Sequence, residues 1–168
     1  MPDNDLLLDE PHSEGKIMIS AEDTRSQTER TRYLVSEFYR IVTAQDPTLT
    51  MAELIHPDIV IEEPSFFFHH GVHRGIEAMQ AISPIVADLL DRSSIEMKSI
   101  LADGDRAVAI FTVEIIDTRD VALIAEYWEV QDGKLALLRM FPHDPAPYQA
   151  RQYRIVRAQA EQMPTIPL

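Results

Sequence analysis

The 168-residue sequence has no cysteine. That excludes disulfides, thiolate metal sites and a cysteine nucleophile, and it leaves redox chemistry silent about compartment. Basic residues are scarce: 15 lysines and arginines stand against 28 aspartates and glutamates, for a net charge of -13. Phosphate binding needs clustered positive charge, so neither nucleic acid nor an anionic membrane surface is expected as a partner. Long apolar runs are missing as well. No stretch approaches the ~20 apolar residues of a membrane span, and Leu6 to Leu8, flanked by acids, do not make a signal peptide. What remains is the expectation of a soluble, cytoplasmic protein whose 45% apolar residues suffice for the core of one domain.

Residues 1–23 carry seven acids and a single lysine, the composition of a flexible, solvated leader. From about Thr24 to Gln45 the apolar stripe Leu34, Phe38, Ile41 and Val42 predicts a helix, with Ser26-x-x-Glu29 and Ser20-x-x-Asp23 competing as its capping box. Thr50-x-x-Glu53 announces a second, short helix, Met51 to Ile55, closed by His56-Pro57. A strand is expected over Ile59 to Glu63, ended by Pro64, then a loop rich in Phe and His up to Gly75. Helical period returns from Ile76 to about Asp91, with Pro84 placed to bend it. Strands follow over Ile95 to Leu101, Ala107 to Ile116, Val121 to Val130 and Lys134 to Phe141, with Asp103-Gly104 and Asp132-Gly133 as hairpin signals. Helices first and a four-strand antiparallel meander last argue an α+β domain, 24–144, with helices covering one face of a curved sheet. Residues 145–168 form a C-terminal helical extension from Tyr148 to about Glu161. Its Arg151, Arg154 and Arg157 make a solvated face or pair with the leader or a partner subunit.

Two acids stand out. Alternation places Glu63 on one strand face with Ile59 and Ile61, and Glu126 on another with Ala122, Ile124, Trp128 and Val130. A carboxylate on an apolar face is costly unless paired, protonated or used in chemistry. The alternative is that each acid faces solvent or pairs with an arginine such as Arg74 or Arg139, and a one-residue slip would exchange Glu63 for Glu62. His69, His70 and His73 invite a metal reading, but Gly71 interrupts any helix that would align His69 with His73, so no metal is expected; a rim contact or plain loop residues are the alternatives. His143 and Asp144 form either a spare base at the rim or a strand end. Phe66, Phe67, Phe68, Phe111, Trp128 and Met140 read as the apolar lining and lid of a pocket, or as ordinary core.

The motifs V-I-E-E-P (60–64), F-T-V (Phe111 to Val113), A-E-Y-W-E-V (125–130) and G-x-x-R-G (71–75) resemble the nuclear transport factor two-like superfamily, in its bacterial ketosteroid isomerase and SnoaL-like polyketide cyclase branch. The resemblance implies a cone-shaped α+β barrel, a mixed or antiparallel curved sheet under N-terminal helices, and a homodimer formed through the outer sheet face. It also implies cofactor-free general acid–base isomerisation or cyclisation of a hydrophobic carbonyl substrate. Glu63 maps to the general base and Glu126 to an acid that stays protonated and donates to the developing oxyanion, a pairing that is itself a known pattern. The tyrosine assisting that oxyanion maps to Phe38 or Tyr39, of which Phe38 lies on the inward stripe. His69 and Val113 join the substrate wall. Two competing readings remain: a non-catalytic ligand-binding or dimerisation module, and an epoxide hydrolase of the same fold built on Glu63, Arg139 and Asp144.

Overall fold

A computed structural model describes residues 21–161 apart from 46 and 119. The acidic leader through residue 20, with its Ser20 cap, and residues 162–168 lie outside the described residues. The elements are α1 (Ala21–Val42), α2 (Met51–Leu54), β1 (Ile55–Glu63), β2 (Gly71–Arg74), α3 (Gly75–Leu89), β3 (Leu90–Asp103), β4 (Arg106–Ile115), β5 (Val121–Gln131), β6 (Lys134–Pro142) and α4 (Ala146–Glu161).

The expected meander forms: β3, β4, β5 and β6 pair antiparallel in sequence order. Its two tight turns use the left-handed backbone that the Asp-Gly pairs permit, with Gly104 at φ +56° and Asp132 and Gly133 at +50° and +73°. β1 then adds parallel to β6, and β2 antiparallel to β1, giving one curved, unclosed six-stranded sheet in the order β2-β1-β6-β5-β4-β3. The parallel β1 contact requires a crossover, and α3 with β3 to β5 provides it.

Two differences from the sequence reading have local causes. β1 starts at Ile55, so His56-Pro57 lies inside it; the register against β6 shifts between Ile55 and Val60, which is where a proline without an N–H is tolerated. Gly71 to Arg74, expected as loop, pairs with β1 as a four-residue edge strand, too short for alternation to reveal.

The inner sheet face is the alternating set Ala107, Ala109, Phe111, Val113 and Ile115 of β4 and Ala122, Ile124, Glu126, Trp128 and Val130 of β5, all buried. Helix α1 lies on it through Leu34, Val35, Phe38 and Tyr39; Ile41 and Val42 sit at the margin of the core. Thr28 and Thr31 of α1 clasp the β3–β4 turn, Thr28 Oγ1 accepting from Gly104 N and Thr31 Oγ1 donating to Gly104 O, both at 2.8 Å. The Thr50–Glu53 capping box of α2 is formed. Helix α4 is fastened to the rest: Gln152 accepts from Phe68 N at 2.7 Å and donates to Phe66 O at 2.9 Å. Arg151 meets the Asp117 carboxylate at 2.6 Å and the Asp88 carbonyl, so it joins elements instead of forming a solvated face; Arg154 is exposed.

Candidate active site

Strand β1 turns Ile59, Ile61 and Glu63 inward. Glu62 faces the other side and is ion-paired with Arg139 of β6, so the one-residue slip does not occur. Ile61 pairs with Leu138 and Glu62 with Arg139, while Glu126 of β5 pairs with Met140. Glu63 and Glu126 therefore stand on the inner face on either side of β6, two strand spacings or roughly 10 Å apart at the backbone.

Three buried acids among the described residues have different fates. The Glu37 carboxylate accepts from Thr48 N, Thr48 Oγ1, Leu49 N and Arg40 Nη1, and those donors, the Thr48 hydroxyl first, hold its pKa down to about 2. Glu63, with its side chain 4% exposed, has no hydrogen bond to Oε2; burial, aided by the charge of Glu126, raises its pKa to about 8. Glu126, 6% exposed, is raised to about 7 by burial, against the pull of one donor, the Tyr39 hydroxyl. The resemblance implies one strongly raised acid and one near its ordinary value; here both rise, Glu63 the more, because it has no donor and lies in its neighbour's field. The two carboxyls titrate as a pair.

Tyr39 is the correction to the helical reading that turned Phe38 alone inward. Both are buried: Phe38 packs on Trp128 at 4.6 Å between centroids, and Tyr39 sits against Phe111 at 5.2 Å while donating to Glu126. Burial and the adjacent carboxylate push the Tyr39 phenol well above its ordinary value, so it is a donor at neutral pH. The Trp128 indole N–H lies close to that hydroxyl but outside hydrogen-bond geometry.

Glu63, Glu126, Tyr39, Phe38, Phe111 and Met140 line a common, mostly apolar cavity, the usual character of a small-ligand site. Otherwise the wall is aliphatic, from Val42, Ile61, Met79, Ile82, Val86 and Leu138 among others. Two polar lining residues escaped the sequence reading: Ser83 of α3 and Arg92 of β3. β3 begins at Leu90 directly after α3, so Leu90 and Arg92 share its inner face; the expected strand started only at Ile95 and left Arg92 in a loop.

Several expected site residues are elsewhere. Val113 and Trp128 are buried beneath the wall without lining the cavity. Phe66, Phe67 and His69 form a block under α4: Phe67 stacks on His69 at 5.1 Å and meets Tyr148 edge-on at 5.2 Å, while Phe66 packs on Phe67 at 4.8 Å. Phe68 is exposed. They back the site and do not cover it, because Gln152 ties this loop to α4. His69 Nε2 is 3.8 Å from Glu63 Oε2, and burial depresses its pKa to about 4, so it faces Glu63 as a neutral ring. Neither of its nitrogens is hydrogen-bonded. Tyr148, which no sequence signal marked, is fully buried with an unpartnered hydroxyl and lies within the electrostatic reach of Glu126. His143 and Asp144 are exposed and do not line the cavity; Asp144 accepts from Ala146 N at 2.9 Å, at the start of α4. Arg139 is on the outer face, so the Glu63–Arg139–Asp144 network of the hydrolase reading is not assembled. His73 Nε2 donates to the His69 carbonyl at 2.6 Å and His70 is exposed; among the described residues no three His, Asp or Glu are placed to hold a metal ion.

Comparison with known proteins agrees with this architecture. The profile of the SnoaL-like domain matches residues 35–138. The structure is similar to a protein from a soil-derived mobile gene cassette, with 19% identity over 74% of this chain and 97% of that one and a TM-score of 0.61. It is similar to a steroid delta-isomerase from Pseudomonas aeruginosa, with 18% identity, 79% and 93% coverage and a TM-score of 0.59. A de novo designed protein with a curved β-sheet matches almost as well, at 19% identity, 77% and 97% coverage and a TM-score of 0.57, so these likenesses speak for the fold alone. No curated protein sequence matches the chain. With the domain profile spanning more than half of its length and the curved sheet arranged as above, the chain belongs to the SnoaL-like domain family of the nuclear transport factor two-like superfamily.

Proposed function

We propose that this protein catalyses proton transfer at a carbon next to a carbonyl group in a hydrophobic substrate of steroid or polyketide type, leading to isomerisation or ring closure. One observation carries the reading: two buried carboxyls, neither paired with a cation, face a single apolar cavity. Leaving two such groups uncompensated costs stability, and acid–base chemistry is the use that explains the arrangement. Glu63, whose Oε2 has no partner, takes the proton from carbon. Glu126, positioned by the Tyr39 hydroxyl that donates to it, holds the carbonyl oxygen, and its proton meets the charge that grows there. The carbon-derived proton stays on Glu63 until it is returned to another carbon or consumed in ring closure. The working form carries the pair's one proton on Glu126 and leaves Glu63 ionised. Because Glu63 has the higher pKa, this is the less populated of the two singly protonated forms, and the rate is greatest between the two raised pKa values and falls on either side. A homodimer through the outer sheet face belongs to this reading, since Leu123 and Phe141 are exposed there on neighbouring strands.

The test is hydrogen–deuterium exchange at the α-carbons of a panel of cyclic ketones and enones in D2O, followed by NMR. The wild type should exchange them, and Glu63→Gln should lower the rate by at least roughly a hundredfold, the usual contribution of a general base. Equal exchange by both proteins would remove Glu63 from the role. Binding of the ketones without exchange by either would favour a non-catalytic binding module.

A further inference from the structure

Arg92 is the cation of the cavity wall. It lines the same cavity as Glu63 and Glu126, and no carboxylate lies within ion-pair distance of it among the described residues, although Arg40, Lys98, Arg106, Arg139 and Arg151 all have one. Its guanidinium is fixed from one side only. Nη2 donates to the Ser83 carbonyl at 2.5 Å and to Ser83 Oγ at 3.0 Å, while Nε and Nη1 make no hydrogen bond among the described residues. Half-burial lowers its pKa, with no neighbouring charge opposing the change, yet an arginine remains charged. The protein as a whole carries -13 and would repel an anion at long range. Inside the cavity the pair of acids keeps a proton near neutral pH, so at most one carboxylate stands against the arginine. A desolvated, one-sided guanidinium in an apolar wall is compensated by an anion that accepts from its free edge.

We infer that Arg92, held by Ser83, is a specificity residue that binds a carboxylate on the substrate, so that the natural substrate is a hydrophobic carbonyl compound bearing an acid group. This rests on the reading that Glu126 binds the carbonyl oxygen at the other polar position of the cavity. Two polar anchors in an aliphatic wall fix a ligand's direction as well as its place.

Trp128, the single tryptophan, packs on the cavity residue Phe38 and reports binding by its fluorescence. The probes are 4-hydroxyphenyl alkanoic acids of increasing chain length, each compared with its methyl ester, titrated into the full chain at pH 7. At the chain length that spans the anchors, the acid should bind roughly tenfold or more tighter than the ester, as a charge-assisted hydrogen bond provides. Arg92→Met should abolish this preference, bringing acid and ester to equal affinity, and Arg92→Lys should retain part of it. Equal affinities for acid and ester in the wild type, or a preference that survives in Arg92→Met, would overturn the inference. Should Arg92→Met not fold, Arg92→Lys decides, since a preference undiminished by loss of the guanidinium fork counts against it. Glu126→Gln separates the two readings: it should weaken acid and ester alike, and if it alters neither, the oxygen site is misplaced while the Arg92 preference stands.

Discussion

Replacing Glu63 by Gln should make the protein more stable at alkaline pH, by an amount that the structure sets. A free glutamate titrates near ~4.3, whereas burial and the field of Glu126 raise Glu63 to about 8. Between those values the folded chain keeps a proton that the unfolded chain has released, so stability falls with rising pH by about 1.4 kcal/mol per pH unit for each proton retained. The stabilising contribution is whole below ~4.3 and is lost as pH rises to about 8. Over the interval from pH 5 to pH 8 this amounts to roughly 3 kcal/mol, with no discount for screening because the side chain is 4% exposed. Glutamine has the same size and no charge to bury. Urea unfolding of wild type and Glu63→Gln at pH 5, 6, 7 and 8 at fixed ionic strength isolates the effect of Glu63 together with its coupling to Glu126, since the slope due to acids outside the pair is common to both. Glu63→Gln should gain on the wild type steadily across the series. A difference in stability that stays constant with pH would show that Glu63 ionises freely in the folded state and would refute the reasoning.

Tyr39→Phe removes the donor that pulls the Glu126 pKa down, so the acid limb of the α-carbon exchange profile should move to higher pH; an unmoved limb would mean that this hydrogen bond does not govern Glu126. Gln152→Ala deletes both hydrogen bonds that tie the Phe66–Phe68 loop to α4, and amide exchange of Phe68 should speed up by the equivalent of about 1–3 kcal/mol. Glu37→Gln acts with the opposite sign to Glu63→Gln. The folded pKa of about 2 makes its contribution present above ~4.3 and lost as pH falls through that lowered value, so the variant should lag the wild type at pH 7 and approach it in acid, as urea unfolding at both extremes will show.

The legible part of this protein was its alternation. A period of two is unambiguous in β4 and β5, and it placed Phe111 and Glu126 on the inner face; the Asp-Gly pairs located two turns because only a few residue types accept their backbone. Glu63 was legible only as one of two neighbours, since register comes from pairing with β6, which a single strand does not encode. Tyr39 was legible only as an alternative to Phe38, because an apolar stripe favours Phe38, although a helix of this width buries two adjacent residues against a curved sheet. Arg92 and Tyr148 were missed for a different reason. Arg92 enters the site, and Tyr148 the block behind it, only through the approach of separate elements, β3 against α3 for Arg92 and α4 against the Phe66–Phe68 loop for Tyr148. His143 and Asp144 were drawn in by chemistry alone, and the structure puts them on the surface beside the start of α4.

The account depends most on Glu63 and Glu126 being a desolvated, coupled pair that holds a proton at neutral pH. A carboxyl-carbon NMR titration, with the two signals assigned by Glu63→Gln and Glu126→Gln, tests this without any substrate. Both signals should titrate well above the ordinary ~4.3, and each single substitution should lower the pKa of the acid left behind, since the charge of its neighbour is gone. Two independent titrations at the ordinary value would contradict it.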